Sequence, residues 1–149
     1  MRRLSNDLRA GAGNPAAGRE LFRKHCATCH KLFAEGESIG PELTHANRKD
    51  RNYLLVSAVD PSAVIRKEYL TYVVQTTDGR TLTGLIVGQT PGAVTLLDGK
   101  NQRTTVGRDK IDSIRESPVS LMPEGLLKEL KPQELRDLFS YLQTNKPLP

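Results

Sequence analysis

The stretch Cys26-Ala27-Thr28-Cys29-His30 decides how the rest of this chain is read. Its thiols belong to the only two cysteines in 149 residues, so the chain is not a disulfide scaffold. A zinc site would need four ligands, and His30 to His45 lies far outside the short His spacing of zinc fingers. A thioredoxin-like redox pair would follow a strand, and no strand pattern precedes Cys26. Upstream, Asn14-Pro15 reads as a helix start, because Asn caps and Pro tolerates the first helical position. The predicted helix runs to about Lys31, with Ala17, Leu21 and Phe22 at helical spacing.

Cys-x-x-Cys-His is also the attachment sequence for c-type haem. The spacing lets one helical turn present two thiols to the two vinyl groups on the porphyrin edge. The adjacent imidazole then ligates iron, oriented by a hydrogen bond to its other ring nitrogen. The remaining alternative is a chance occurrence of these residues in an ordinary helix. A haem that only shuttles electrons takes a second axial ligand. Apart from Met1 the chain has one methionine, Met122, in Leu121-Met122-Pro123. A thioether opposite His30 would raise the potential relative to bis-His ligation and discourage ligand binding. Met122 as a gap-filling core residue is the structural alternative. His45 and His25 are rivals, although His25 adjoins Cys26 and is too close to cross to the far face. An open site is the other possibility.

Working outward, residues 1–13 read as a loose polar lead-in and 32–47 as loop. Helical spacing returns at Tyr53-Leu54-Leu55-Val56-Ser57-Ala58-Val59 and stops at Asp60-Pro61, and Pro61 opens a short helical turn with Val64-Ile65. From Tyr69 the texture is β: Tyr69–Thr76, Thr81–Val87, Ala93–Leu97, Arg103–Val106 and Lys110–Ile114. Turns at Thr77–Arg80, Pro91-Gly92 and Asp98-Gly99 separate the first four runs. This unit resembles an SH3-like or Sm-like barrel. A short helix is expected over Pro123–Leu130. A last helix opens at Pro132, with Leu135, Leu138, Phe139 and Leu142 as its apolar stripe and Tyr141 beside it.

Three Phe, four Tyr and no Trp are a thin supply for two independent cores. A flat apolar cofactor would add buried surface. The net charge is +5, while Glu68–Glu116 holds six basic and six acidic residues, so the excess lies in the flanks. An acidic partner surface is the natural complement. No Lys/Arg run exceeds two residues, which argues against nucleic acid. No apolar run is long enough to span a bilayer, and Met1–Asp7 leads into no signal-peptide core. The expectation is a mature form or an excised piece of a larger protein.

On these residues the chain resembles a class I c-type cytochrome. The resemblance implies that Gly18 and Phe22 cross the last helix near Leu138 and Tyr141. It also implies that the Pro41 carbonyl, in Gly40-Pro41, accepts the N–H of the axial His30. Met122-Pro123 before a terminal helix matches as well. The roughly fifty mostly β residues between middle helix and Met loop resemble the planctomycete-type haem-binding domain of large secreted bacterial proteins. Its most specific parts here are Cys26–His30, Asp60–Ile65 and Leu121–Pro123.

The expected fold is therefore a mainly α cytochrome c fold with an inserted small antiparallel β-sheet or barrel (α+β). One domain spans 1–149, its helical core comprising 14–67 and 117–145 and its β unit 68–116. One haem c is held through Cys26 and Cys29, with His30 and Met122 as axial ligands. Arg48, Arg51 and Tyr53 are candidates for the haem propionates, or simply a solvated helix start. Lys24, Lys31, Lys49 and Lys67 are either a docking rim or ordinary surface charge. The expected role is single-electron relay rather than catalysis. Donor and acceptor proteins are the implied partners, with a dehydrogenase domain on the same parent chain among them, in a periplasmic or equivalent compartment. A gas sensor or a peroxide-reducing enzyme would require an open or displaceable distal site.

Overall fold

A computed structural model describes all residues from Met1 to Pro149. The chain forms two compact units, one of Met1–Pro61 with Pro123–Pro149 and one of Ser62–Met122.

The first unit is helical: α1 (Arg2–Arg9), α2 (Pro15–His25), α3 (Arg51–Val59) and α4 (Pro132–Leu142). Asn14 caps α2 by accepting from the Ala16 and Ala17 amides at 2.9 and 3.3 Å. Asp50 caps α3 by accepting from Tyr53 N at 3.0 Å. Pro132 opens α4, where the Glu134 carboxylate accepts the Lys131 amide at 2.8 Å. The α4 stripe is buried as a set: Leu135, Leu138, Phe139, Tyr141 and Leu142 join Phe22, Leu32, Leu54 and Leu55 in one core.

α2 and α4 cross in close contact. A Cβ at Gly18 would stand 1.9 Å from the Asp137 carbonyl oxygen and 2.8 Å from Tyr141 Cβ. Only a residue without a side chain lets the two backbones approach so closely. The Phe22 and Tyr141 rings then meet in a tilted pair with centroids 5.6 Å apart.

Outside the Cys26–His30 stretch, three helical expectations are corrected. The lead-in is ordered: α1 buries Leu4 and Leu8, and its final carbonyls are met by guanidinium groups, Arg136 to Asp7 O at 3.0 Å and Arg51 to Leu8 O at 3.2 Å. Pro123–Leu130 forms turns rather than a helix, with Gly125 at φ +83°, although Leu127 and Leu130 are buried. Past Pro61 there is a turn but no helix until a short 3₁₀ turn at Lys67–Tyr69, and Val64 is 87% exposed.

The second unit is an antiparallel sheet of β1 (Thr71–Thr76), β2 (Thr81–Gln89), β3 (Ala93–Leu97), β4 (Arg103–Gly107) and β5 (Ile111–Ser117). Their order is β4-β3-β2-β1-β5. The sheet is open, so the barrel alternative is corrected: β4 and β5 are edges with one neighbour each. Val74, Val94 and Leu96 form its core with Leu82, Ile86 and Ile111 packed against them. Gly79 takes φ +88° in the β1–β2 turn. In the β3–β4 turn the left-handed residue is Asn101 (φ +60°) rather than Gly99, and Asp98 Oδ1 accepts from the Lys100 and Gln102 amides.

Candidate haem-attachment site

The site begins where α2 ends. Phe22 O accepts both the Cys26 and Ala27 amides, at 2.8 and 2.9 Å, which widens the last turn and releases the chain from the helix. The helix therefore stops at His25 rather than near Lys31. Cys26 O then accepts the Cys29 and His30 amides at 3.1 and 2.9 Å. Cys26 and Cys29 are consequently held on one tight turn, with His30 following at once.

The next residues fold back over that turn. Glu37 N donates to Ala27 O, Gly40 N to Cys29 O and Leu43 N to Lys31 O, at 2.8, 2.6 and 2.8 Å. Gly36 adopts φ +102°, and a Cβ there would fall 2.0 Å from His30 O. Gly40 faces the imidazole itself: a Cβ would lie 2.7 Å from His30 Cε1. His30 Nδ1 stands 2.8 Å from the Pro41 carbonyl oxygen. A carbonyl only accepts, so Nδ1 carries the proton and Nε2 keeps its lone pair free for a metal. Burial lowers the His30 pKa and the Pro41 bond opposes part of that shift, which favours the neutral ring that ligation requires.

Both cysteines are free thiols. Burial, with a smaller contribution from Cys29, pushes the Cys26 thiol up to about 12, and burial raises Cys29 too. Neither has the thiolate character of a disulfide-exchange pair. No three His, Cys, Asp or Glu side chains gather where they could hold a metal ion. The residues present fit covalent haem: two adjacent neutral thiols, one oriented imidazole, and a glycine where a side chain would strike that ring.

Around this centre stand residues with no signal in the sequence. Glu35 accepts from Arg19 Nε at 2.7 Å and Arg23 Nε at 3.0 Å, tying the loop to α2. These guanidinium groups hold the Glu35 carboxyl at about 2. Arg19 and Arg23 sit one turn apart, but nothing in a loop sequence marks Glu35 as their partner. Leu32 and Glu35 pair through their backbones, and Phe33 between them takes φ +56°.

Arg48 is buried with its guanidinium 5.2 Å over the Phe33 ring. It donates to four carbonyls: Leu43 at 2.8 Å, Thr44 at 3.0 Å, Leu142 at 2.5 Å and Thr144 at 2.8 Å. Arg51 donates to Leu8 O and to Gln143 Oε1 at 3.4 Å, whereas the Tyr53 ring is partly exposed. Thus Arg48 and Arg51 have protein partners, and Tyr53 supplies only its amide to a cap. His45 is exposed, beside a polar cleft of about 300 Å³ lined by Thr44, Lys49 and Gln143. Met122 is half-buried at the end of the β unit, its amide donating to Ser120 Oγ at 3.1 Å.

Residues 15–76 match the family model described as Cytochrome c, which supports a c-type cytochrome with covalently bound haem and electron transfer. No curated protein matches the chain. No helix is long and apolar enough to cross a membrane.

Proposed function

We propose that this chain is a single-haem c-type cytochrome domain of the planctomycete type, a helical core interrupted by a β unit, that relays single electrons. The observation that carries the reading is the 2.8 Å contact between His30 Nδ1 and Pro41 O, immediately after two adjacent thiols. It fixes the tautomer in which Nε2 can bind iron.

Cys26 and Cys29 would hold the group: each thiol adds its S–H across a vinyl double bond, giving a thioether without any oxidant. His30 would bind the iron through Nε2, the ring nitrogen that Pro41 leaves free. Met122, the one methionine besides Met1, is the proposed second ligand. Bound haem supplies a reversible one-electron couple, and a thioether ligand sets it at a higher potential than bis-His ligation would. Gly40 and Pro41 orient the imidazole. Arg48, Arg51 and Tyr53 remain candidates for the propionates, Arg48 with only one guanidinium N–H not already committed to a carbonyl.

The proposed partners are a donor, for which a dehydrogenase domain on a longer parent chain is suited, and an acceptor with an acidic docking face. Thioether attachment takes place where haem is exported, so the proposed compartment is extracytoplasmic.

The test is expression with a periplasmic haem-maturation system, followed by ferric and ferrous visible spectra with and without carbon monoxide. Low-spin spectra, a weak far-red ferric band and indifference to carbon monoxide are expected, all three lost in Met122→Ala. A high-spin wild type that binds carbon monoxide at once would overturn relay in favour of gas sensing or peroxide chemistry.

A further inference from the structure

We infer that Ser62 is a positioning residue for Met122, acting through Ser120; this rests on the reading of Met122 as an axial ligand. The three residues belong to one compact unit, Ser62–Met122. β5 ends at Ser117, and beyond it the chain to Met122 makes no backbone–backbone hydrogen bond. Hydroxyl groups replace the missing ladder. Ser117 Oγ accepts the Val119 amide at 3.2 Å, and Ser120 Oγ accepts the Met122 amide at 3.1 Å. Both are local turns, each spanning two residues, and neither ties the segment to anything else.

One bond does. Ser62 Oγ accepts the Ser120 amide at 3.1 Å, reaching across 58 residues of sequence. Ser62 follows Pro61 in a turn whose first φ is fixed by the proline ring. Its hydroxyl therefore holds Ser120 in place, and the Ser120 hydroxyl holds the Met122 backbone. Val119, between the two serine turns, is 59% exposed and contributes little packing of its own. Without Ser62 the segment keeps its local turns but loses the bond that fixes where they sit. A sulfur on a loosened segment spends more time away from the metal, and any competing ligand gains by that fraction.

The experiment uses the full haem-loaded chain as wild type, Ser62→Ala, Ser62→Thr, Ser120→Ala and Met122→Ala. Three readouts are taken: the far-red ferric band, carbon monoxide binding to the ferrous form, and deuterium exchange at the Ser120 and Met122 amides. One hydrogen bond predicts a roughly three- to tenfold rise in carbon monoxide binding and amide exchange for Ser62→Ala. Ser62→Thr, which keeps the acceptor, should restore both, and Ser120→Ala should reproduce the loosening at Met122. If Ser62→Ala misfolds, the Thr and Ser120 variants still carry the test. Wild-type behaviour of Ser62→Ala or of Ser120→Ala, alongside an opened Met122→Ala, overturns the anchor and leaves the ligation standing. An unchanged Met122→Ala overturns the ligation and the anchor with it.

Discussion

The bare Cα of Gly40 faces the His30 imidazole, where a single Cβ would come within 2.7 Å of Cε1 and 3.0 Å of Nδ1. Adding one methyl group should displace the ring from Pro41 O. Gly40→Ala is expected to lose about 1–3 kcal/mol of stability. Its holoprotein should show a larger high-spin fraction in the visible spectrum. A variant matching wild type in both melting and spectrum would show that the loop yields without moving the ring.

Gly18 makes the same argument at the helix crossing, against backbone that cannot rotate away. Gly18→Ala should cost about 2–3 kcal/mol by overpacking. Calorimetry should register this as a Tm lower by roughly 4–12 °C. An unshifted Tm would mean that α2 and α4 can separate freely.

Arg48 tests geometry against charge. Its four carbonyl bonds use a forked, planar donor set that an ammonium cannot reproduce. Arg48→Lys should therefore lose much of the stability that Arg48→Met loses, about 2–4 kcal/mol for the latter. Denaturant titration compares the two. Full stability in the Lys variant, with a shifted reduction potential in the Met variant, would point instead to a propionate.

Glu35 carries a pH signature. Its carboxyl, held by Arg19 and Arg23, titrates at about 2 rather than at the ordinary 4.5. Between those values the unfolded chain binds the proton and the folded one does not, so stability rises with pH across that window. The contribution is complete above about pH 4.5 and lost as pH falls to 2. Glu35→Gln should be less stable by about 1 kcal/mol at neutral pH, since the group is partly exposed. Circular dichroism during acid titration should show the two proteins converging towards pH 2. A constant gap down to pH 2 would remove the ion pairs as the cause.

Much of this architecture was legible because it rests on local rules. Asn14-Pro15, Asp60-Pro61 and the β-branched runs between turn residues mark their elements by themselves. The stripe from Leu135 to Leu142 needs only helical periodicity. What escaped depends on tertiary partners. In α1 a Leu4–Leu8 pair among polar residues was too small a signal, and only its burial with Phe139 and Leu54 in one core makes the helix worth forming. Gly125 at positive φ prevented a helix that composition alone would allow. The carbonyl partners of Arg48 come from the loop and from the end of α4, the latter more than ninety residues away, so no local pattern marks them. Glu35 accepts from two arginines on α2, and Ser62 accepts one amide from 58 residues away; neither arrangement leaves a periodic trace.

The ladder between β1 and β5 sets Thr71 opposite Ser117. It therefore closes the neck of the long excursion separating α3 from α4. For a folding chain this is a matter of search. Before α4 can meet α2, the polymer between them must lose its freedom, a cost that grows with the logarithm of loop length. Hairpins between consecutive strands need far shorter closures, and once β5 joins β1 the excursion counts kinetically as a short link. The sheet should accordingly assemble ahead of the helical crossing. Pulse-labelled hydrogen exchange should find the β1 amides protected before those of α4; simultaneous protection would mean that the two units fold as one.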